Sequence, residues 1–257
     1  GYGSRVFYQA VAVRFVIGRN CQLKYGARLL NSVIGDNSTV SCCELLNNLI
    51  FPFHEQHHNS SFLIATTIMG QSNIAAGSTI GSNHNSRSPD GEIIAGRGFW
   101  PGLCSDFKHN SKFASFSLIS KGSYQQELNI CYPFSLVAPG KDSSNAINII
   151  PAWWFMYDMF AIVRNRYKFK KRDKRAVKIQ NIEMDPLAPD TMQEVLAAIA
   201  RIIELTQAKL ADFGKTFDSS EQVDVRQIAK DYLHQHSEED FELFDRLCQK
   251  KYGAVII

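Results

Sequence analysis

The sequence predicts a mainly β protein: a parallel β-helix of hexapeptide repeats with a helical C-terminal region. Three observations predict it. Between Ile50 and Ile80 apolar residues recur every sixth position, at Ile50, Phe62, Ile68, Ile74 and Ile80, with Gln56 the one polar member. The intervening residues are small or polar, as in Ile68-Met69-Gly70-Gln71-Ser72-Asn73 and Ile74-Ala75-Ala76-Gly77-Ser78-Thr79. Beyond Pro151 the pattern changes to helical spacing. A period of six fits neither the 3.6 of a helix nor the alternation of a half-buried strand. It suits a short strand plus a turn, repeated, with one large aliphatic side chain per unit pointing inward.

Taken in order, Val6 to Phe15 is strand-like, and the first good hexad starts at Ile17 and leads to Leu23 and Leu29. After a slip of one residue, Ile34 leads to Val40 and Leu46. Solenoids close their ends with an atypical cap. None is visible before Ile17, so the chain is expected to be a piece of a longer protein or to have its first rung covered by a partner. The pattern loosens around Phe51 to Asn59 and tightens again to Ile80. Gly81 to Gly102, rich in Gly, Asn, Ser and Pro, reads as a long loop thrown out from the coil. Spacing six returns at Phe107, Phe113 and Ile119, and Leu128 to Val137 alternates like an edge strand.

The division expected is residues 1–150 as coil and 151–257 as helical region. Trp153 to Lys171 is aromatic first and basic second. Thr191-Met192-Gln193-Glu194 reads as a capping box opening a helix with Val195, Ile199, Ile202, Ile203, Thr206 and Leu210 inward. Further helices are expected from Ser219 and Ser237, and all are expected to cap the coil or pack on its flank.

Composition is that of an ordinary globular protein: 257 residues, 45% hydrophobic, 21% charged and net charge +3. Such a balance does not call for nucleic acid. Residues 1–150 hold 11 Lys/Arg against 8 Asp/Glu, and residues 151–257 hold 17 against 17. Six scattered cysteines without C-x-x-C read as reduced thiols. The longest apolar run, Ile147 to Val163, is broken by Asn148, Pro151 and Asp158, which argues against a membrane span. A cytoplasmic location follows as the expectation.

The hexads Ile17-Gly18, Ile34-Gly35, Ile74-Ala75 and Ile80-Gly81 resemble those of the left-handed β-helix superfamily, over roughly residues 15–140. The left hand comes from the resemblance; spacing alone does not give it. The stretch Gly81 to Gly91, followed by Gly98-Phe99-Trp100-Pro101-Gly102, looks like an uncharacterised group of hexapeptide-repeat proteins assigned to the transferases. The resemblance implies a homotrimer that moves an acyl group from acyl-CoA to a hydroxyl or amine of a sugar or sugar nucleotide. The alternative is a non-catalytic oligomerising or ligand-sensing module of a longer sugar-nucleotide protein. Fold alone does not choose between them.

Candidate site residues fall in three places. His54-Glu55-Gln56-His57-His58 has the form H-E-x-x-H, which on a helix gathers two imidazoles about zinc. On a strand or loop after Pro52, positions four apart do not converge, and no metal is expected. In the acyltransferases that the chain resembles, an outward histidine in a subunit cleft is the general base. With Ile50 and Gln56 inward, His57 lies one step outward and His58 beside it. These two, with His84, are the catalytic candidates; the competing reading makes each a polar turn residue. In the loop, Asn83, Asn85 and Arg87, with Trp100 and His109, are the substrate-binding candidates, Arg87 as a bidentate anion grip. Within the basic run Arg164 to Arg175, the residues Lys170, Lys171 and Arg172 are expected to hold the phosphates of acyl-CoA, unless the run is simply a solvated face.

Overall fold

The computed structural model describes residues 1–82, 91–140 and 146–211. They form a parallel β-solenoid of about seven turns with helices beyond it. Each turn visits three flat faces. On the first face the ladder runs Arg5, Gln22, Thr39, Glu55 and Asn73. It continues through the amide of Asn73, which donates to Phe99 O, to Trp100, Leu118 and Leu136. The second face pairs Val11 with Arg28, Arg28 with Glu44, Glu44 with Phe62 and Phe62 with Thr79. The third pairs Val16 with Val33, Val33 with Leu49, Leu49 with Thr67 and Thr67 with Ile94.

Coil pairing is already present at Arg5, ahead of the first hexad at Ile17; that turn shows no hexad because it points a small residue, Ala12, at the interior where later turns place Leu29 and Leu45. Partners are 17 residues apart early on, as Arg5 with Gln22, but 27 apart where Thr79 meets Asp106. One turn therefore carries the insertion. Its coil resumes at the strand Ile93–Ala95, so the loop expected over 81–102 is shorter: Phe99 is core and Trp100–Pro101 is a first-face strand.

Corners follow a rule that no hexad consensus states. Residues at positive φ recur there: Tyr8, Tyr25, Cys42 and Ser60 at the first corner, Arg14, Asn31, Asn47 and Ala65 at the second, Asn20, Asn37, Phe53, Phe116 and Phe134 at the third. The left-handed region tolerates Asn but strains bulky side chains. At Gly70, with φ +91, a Cβ would lie 2.4 Å from Pro52 O, so only glycine fits.

Inside, Leu23, Leu29, Ile34, Val40, Ile68, Ile74 and Ile80 are buried as the spacing predicts. Each such side chain contributes about 1.5–3 kcal/mol. Towards the last turns the filling becomes aromatic, with Phe99 4.8 Å from Phe113 and Phe107 stacked on Tyr124 at 5.2 Å. Two expected inward positions are wrong. Leu46 and Phe62 face outward, and Leu45 and Leu63 take their places. Across the second corner, at Asn31, Asn47 and Ala65, the inward residues stand five apart, as Leu29 to Ile34, Leu45 to Ile50 and Leu63 to Ile68. Leu128 to Val137 is likewise two strands about a corner at Phe134, not one alternating strand.

Helix α1 (Trp153–Tyr157), α2 (Met159–Arg172) and α3 (Pro189–Ala211) pack on the flank. Third-corner aromatics receive them. Phe116 is 6.1 Å from Trp154, Phe134 is 4.6 Å from Phe155, and Phe53 is 5.3 Å from Phe169. Residues 173–188 then run back to the first turns, where the Ala176 amide donates to Tyr2 Oη at 2.8 Å.

The capping box fails: α3 starts at Pro189, Thr191 Oγ1 accepts from Arg97 at 2.9 Å, and Glu194 accepts the Ser115 amide at 2.8 Å. Both side chains serve contacts to the coil instead of the helix terminus. Ile199 and Ile202, expected inward, are exposed, because α3 meets the coil mainly through Thr191, Val195 and Ala198. The helices expected from Ser219 and Ser237 lie outside the described residues, as does Leu210's side chain.

Candidate functional site

The first face carries a polar groove. Its outward row is set by strand alternation: Gln22, Thr39, Glu55, Asn73 and Trp100 stack turn on turn. A cleft of about 250 Å³ between this row and α2 is lined by His57, Ser72, Trp100, Arg164, Lys168 and Arg172, among others. A second hollow of about 430 Å³ shares Glu55, His57 and Arg172 with it and extends to Asn37, Lys24 and Tyr25. Together they make one groove along the coil.

Glu55 is the hub. Its carboxylate accepts from Lys168 Nζ at 2.7 Å and from Arg172 Nη1. Burial pushes the Lys168 ammonium down from its ordinary value, and the bond to Glu55 opposes that. Two residues on, His57 shares the outward side. Partial burial lowers its pKa, Glu55 opposes, and the charges of Lys168 and Arg172 add to the lowering.

The expected site residues separate as follows. His57, Trp100 and Arg172 converge on the groove although 115 residues separate the first from the last. His58 is exposed outside the lining, its ring centroid 4.4 Å from that of His57. His109 is buried near the base of the inserted loop, at the turn where Ser82 pairs with Lys108. Lys170 and Lys171 are exposed on α2 and do not line the groove. His84, Asn83, Asn85 and Arg87 lie outside the described residues. Elsewhere in the basic run Arg166 pairs with Asp185 at 3.1 Å, and Arg175 bonds Asp173 at 2.8 Å, holding that carboxyl well below the usual carboxylate range.

A family model described as a domain of unknown function, DUF4954, matches residues 2–206. The chain belongs to this family. An uncharacterized protein of Treponema pallidum (strain Nichols) is 56% identical over 230 residues, which make up 90% of this chain and 32% of that relative. The chain thus spans about a third of the relative's length.

In this member of the DUF4954 family the formal H-E-x-x-H motif is split by the coil wall. His54 is fully enclosed, whereas His57 and His58 are outside. His54 and Gln56 form a polar rung in the core, between rungs that read Ser38 with Val40 and Ser72 with Ile74. Gln56 Nε2 donates to Ser61 Oγ at 2.9 Å, so Gln56 Oε1 must accept from His54 Nε2–H at 3.1 Å. That leaves His54 Nδ1 to accept the Ser72 hydroxyl at 2.8 Å. Burial lowers the imidazole pKa to about 4, and it is neutral at pH 7. Among the described residues no helix is long and apolar enough to cross a membrane.

Proposed function

We propose that the chain transfers an acyl group from acyl-CoA to a hydroxyl or amine of a sugar or sugar nucleotide, with His57 as general base. The observation that carries this reading is the convergence of His57, Trp100 and Arg172 on one groove. His57 has its pKa lowered by partial burial, so at pH 7 its lone pair is free to take a proton. It removes that proton from the acceptor as the acceptor's oxygen or nitrogen attacks the thioester carbonyl. The C–S bond then breaks, and His57 returns the proton to the departing thiolate. Arg164 and Arg172 supply guanidinium donors for phosphate. Lys170 and Lys171 drop from that role because they stand off the groove. As in the proteins that the chain resembles, we place the enzyme as a homotrimer in the cytoplasm, where the free thiols of Cys21, Cys42, Cys43, Cys104 and Cys131 are at home.

A thermal-shift and turnover assay with acetyl-CoA and a panel of sugars and nucleotide sugars tests the reading. The expected result is stabilisation by CoA that survives His57→Ala, weakens in Arg172→Ala, and is accompanied by acyl transfer that His57→Ala abolishes. No response to any thioester would overturn it in favour of a non-catalytic module.

A further inference from the structure

Five aromatic residues occupy left-handed corner positions among the described residues: Tyr8, Tyr25, Phe53, Phe116 and Phe134. A bulky side chain there is strained, so each is expected to return the cost through a contact. The three phenylalanines do: all are buried, beneath α1 and α2 or against each other. Among the described residues the rings of the two tyrosines contact only each other and their chain neighbours Phe7 and Lys24, and stay open to solvent. Tyr8 is 59% and Tyr25 is 53% exposed. They stack on each other in consecutive turns, with centroids 5.1 Å apart and planes 8° from parallel.

That aromatic column forms one end of the first-face groove, because Tyr25 lines it, and Trp100 lines the other end. From Gln22 to Trp100 the ladder passes Thr39, Glu55 and Asn73, four steps at about 4.8 Å each, or about 19 Å. A ligand that touches both aromatic ends is therefore an extended chain, longer than one sugar ring. Between them the floor is polar, with Thr39, Ser41, Asn37 and Glu55. Ring faces at the two ends, with hydroxyl and amide groups between them, match the apolar faces and hydroxyl edges of sugars.

Charge narrows the class. Glu55 is already paired with Lys168 and Arg172. Lys24, 5.4 Å above the Tyr25 ring, and Lys174 also line the groove, and no ion pair joins either to a carboxylate among the described residues. The groove is net positive.

We propose that the groove binds an extended acidic oligosaccharide, laid along the coil from the Tyr8–Tyr25 column to Trp100. This rests on the acyl-transfer reading only in taking that glycan as the acceptor; its binding is separable from catalysis. The experiment uses the full chain and titrates it with α-1,4-linked galacturonate oligomers and hyaluronan oligosaccharides of one to six units. Neutral β-1,4-linked glucose oligomers and a single-stranded RNA hexamer serve as comparisons, with intrinsic fluorescence and calorimetry as readouts.

Affinity is expected to rise with length to about four units. It should fall about tenfold in Tyr25→Ala and in Trp100→Ala. Circular dichroism checks that each variant folds, and Tyr25→Phe, which keeps the ring, should retain most of the binding. Length-independent binding, binding equal in Tyr25→Ala and wild type, preference for RNA, or no binding to any acidic glycan would overturn the proposal. Acyl transfer to monosaccharides without glycan binding would refute this inference and leave the acyl-transfer reading standing. Glycan binding without any thioester response would do the reverse.

Discussion

Converting the His54–Gln56 rung to the composition of its neighbours, by His54→Ser with Gln56→Ile, gives a direct test of what holds the coil interior together. The imidazole is fully enclosed and its pKa falls to about 4 in the folded chain, against about 6.5 when unfolded. The folded form therefore prefers the neutral ring. The stability this contributes is fully present above pH 6.5 and is lost as pH falls from 6.5 through 4. A gap of about 2.5 units at 1.36 kcal/mol each is on the order of 3 kcal/mol. For a chain of this size that corresponds to roughly 6–12 °C in melting temperature. His57 titrates in the same direction, so the variant, which keeps His57, is the comparison to make. Melting followed by circular dichroism at half-unit steps from pH 7.5 to 4 should show the wild type falling much more steeply than the variant. The readout is the difference in slope, which does not depend on any cavity left by the smaller serine. Parallel curves would refute the argument that burial holds this ring neutral.

Gly70→Ala is expected to destabilise by at least about 2 kcal/mol, because it combines a left-handed backbone with a Cβ 2.4 Å from Pro52 O; a urea titration checks it. Asp190→Asn replaces the carboxylate that accepts from Arg97 Nε at 2.7 Å and Nη2 at 2.8 Å with a neutral amide, so a nearly buried guanidinium loses its counter-charge and one of its two acceptors there. A loss of about 1–3 kcal/mol follows, seen first as faster amide hydrogen exchange in α3.

The solenoid was legible wherever one aliphatic residue marked each corner-to-corner segment, as at Ile68, Ile74 and Ile80. It is misread at the second corner, where the inward residues stand five apart, as Leu45 to Ile50 and Leu63 to Ile68. Asn48 and Thr66 then point inward as a hydrogen-bonded pair, Thr66 Oγ1 to Asn48 Oδ1 at 2.9 Å, and no apolar mark shows the slip. The groove was half legible. The phase set by Ile50 marks His57, but nothing local marks Glu55, whose partners Lys168 and Arg172 come from 113 and 117 residues away. Local spacing carries no record of such contacts. Tyr8 and Tyr25 carry no such mark, because the corner rule emerges only from backbone angles. A tyrosine before Gly26, at a kind of position that asparagine fills at the second and third corners, is the available signal.

The segment after α2 touches turns that never touch one another. It meets Tyr2 and Arg19 near one end of the coil, through Ala176 and Val177, and then Gln71 and Arg97 several turns on, through Glu183 and Asp190. A stack of repeats ordinarily frays one unit at a time, since each unit feels only its neighbours. A lashing that spans several units changes that. Loosening one end here means tearing contacts made far along the pile, so melting should approach a single concerted event. Folding should wait for the last third of the chain to arrive.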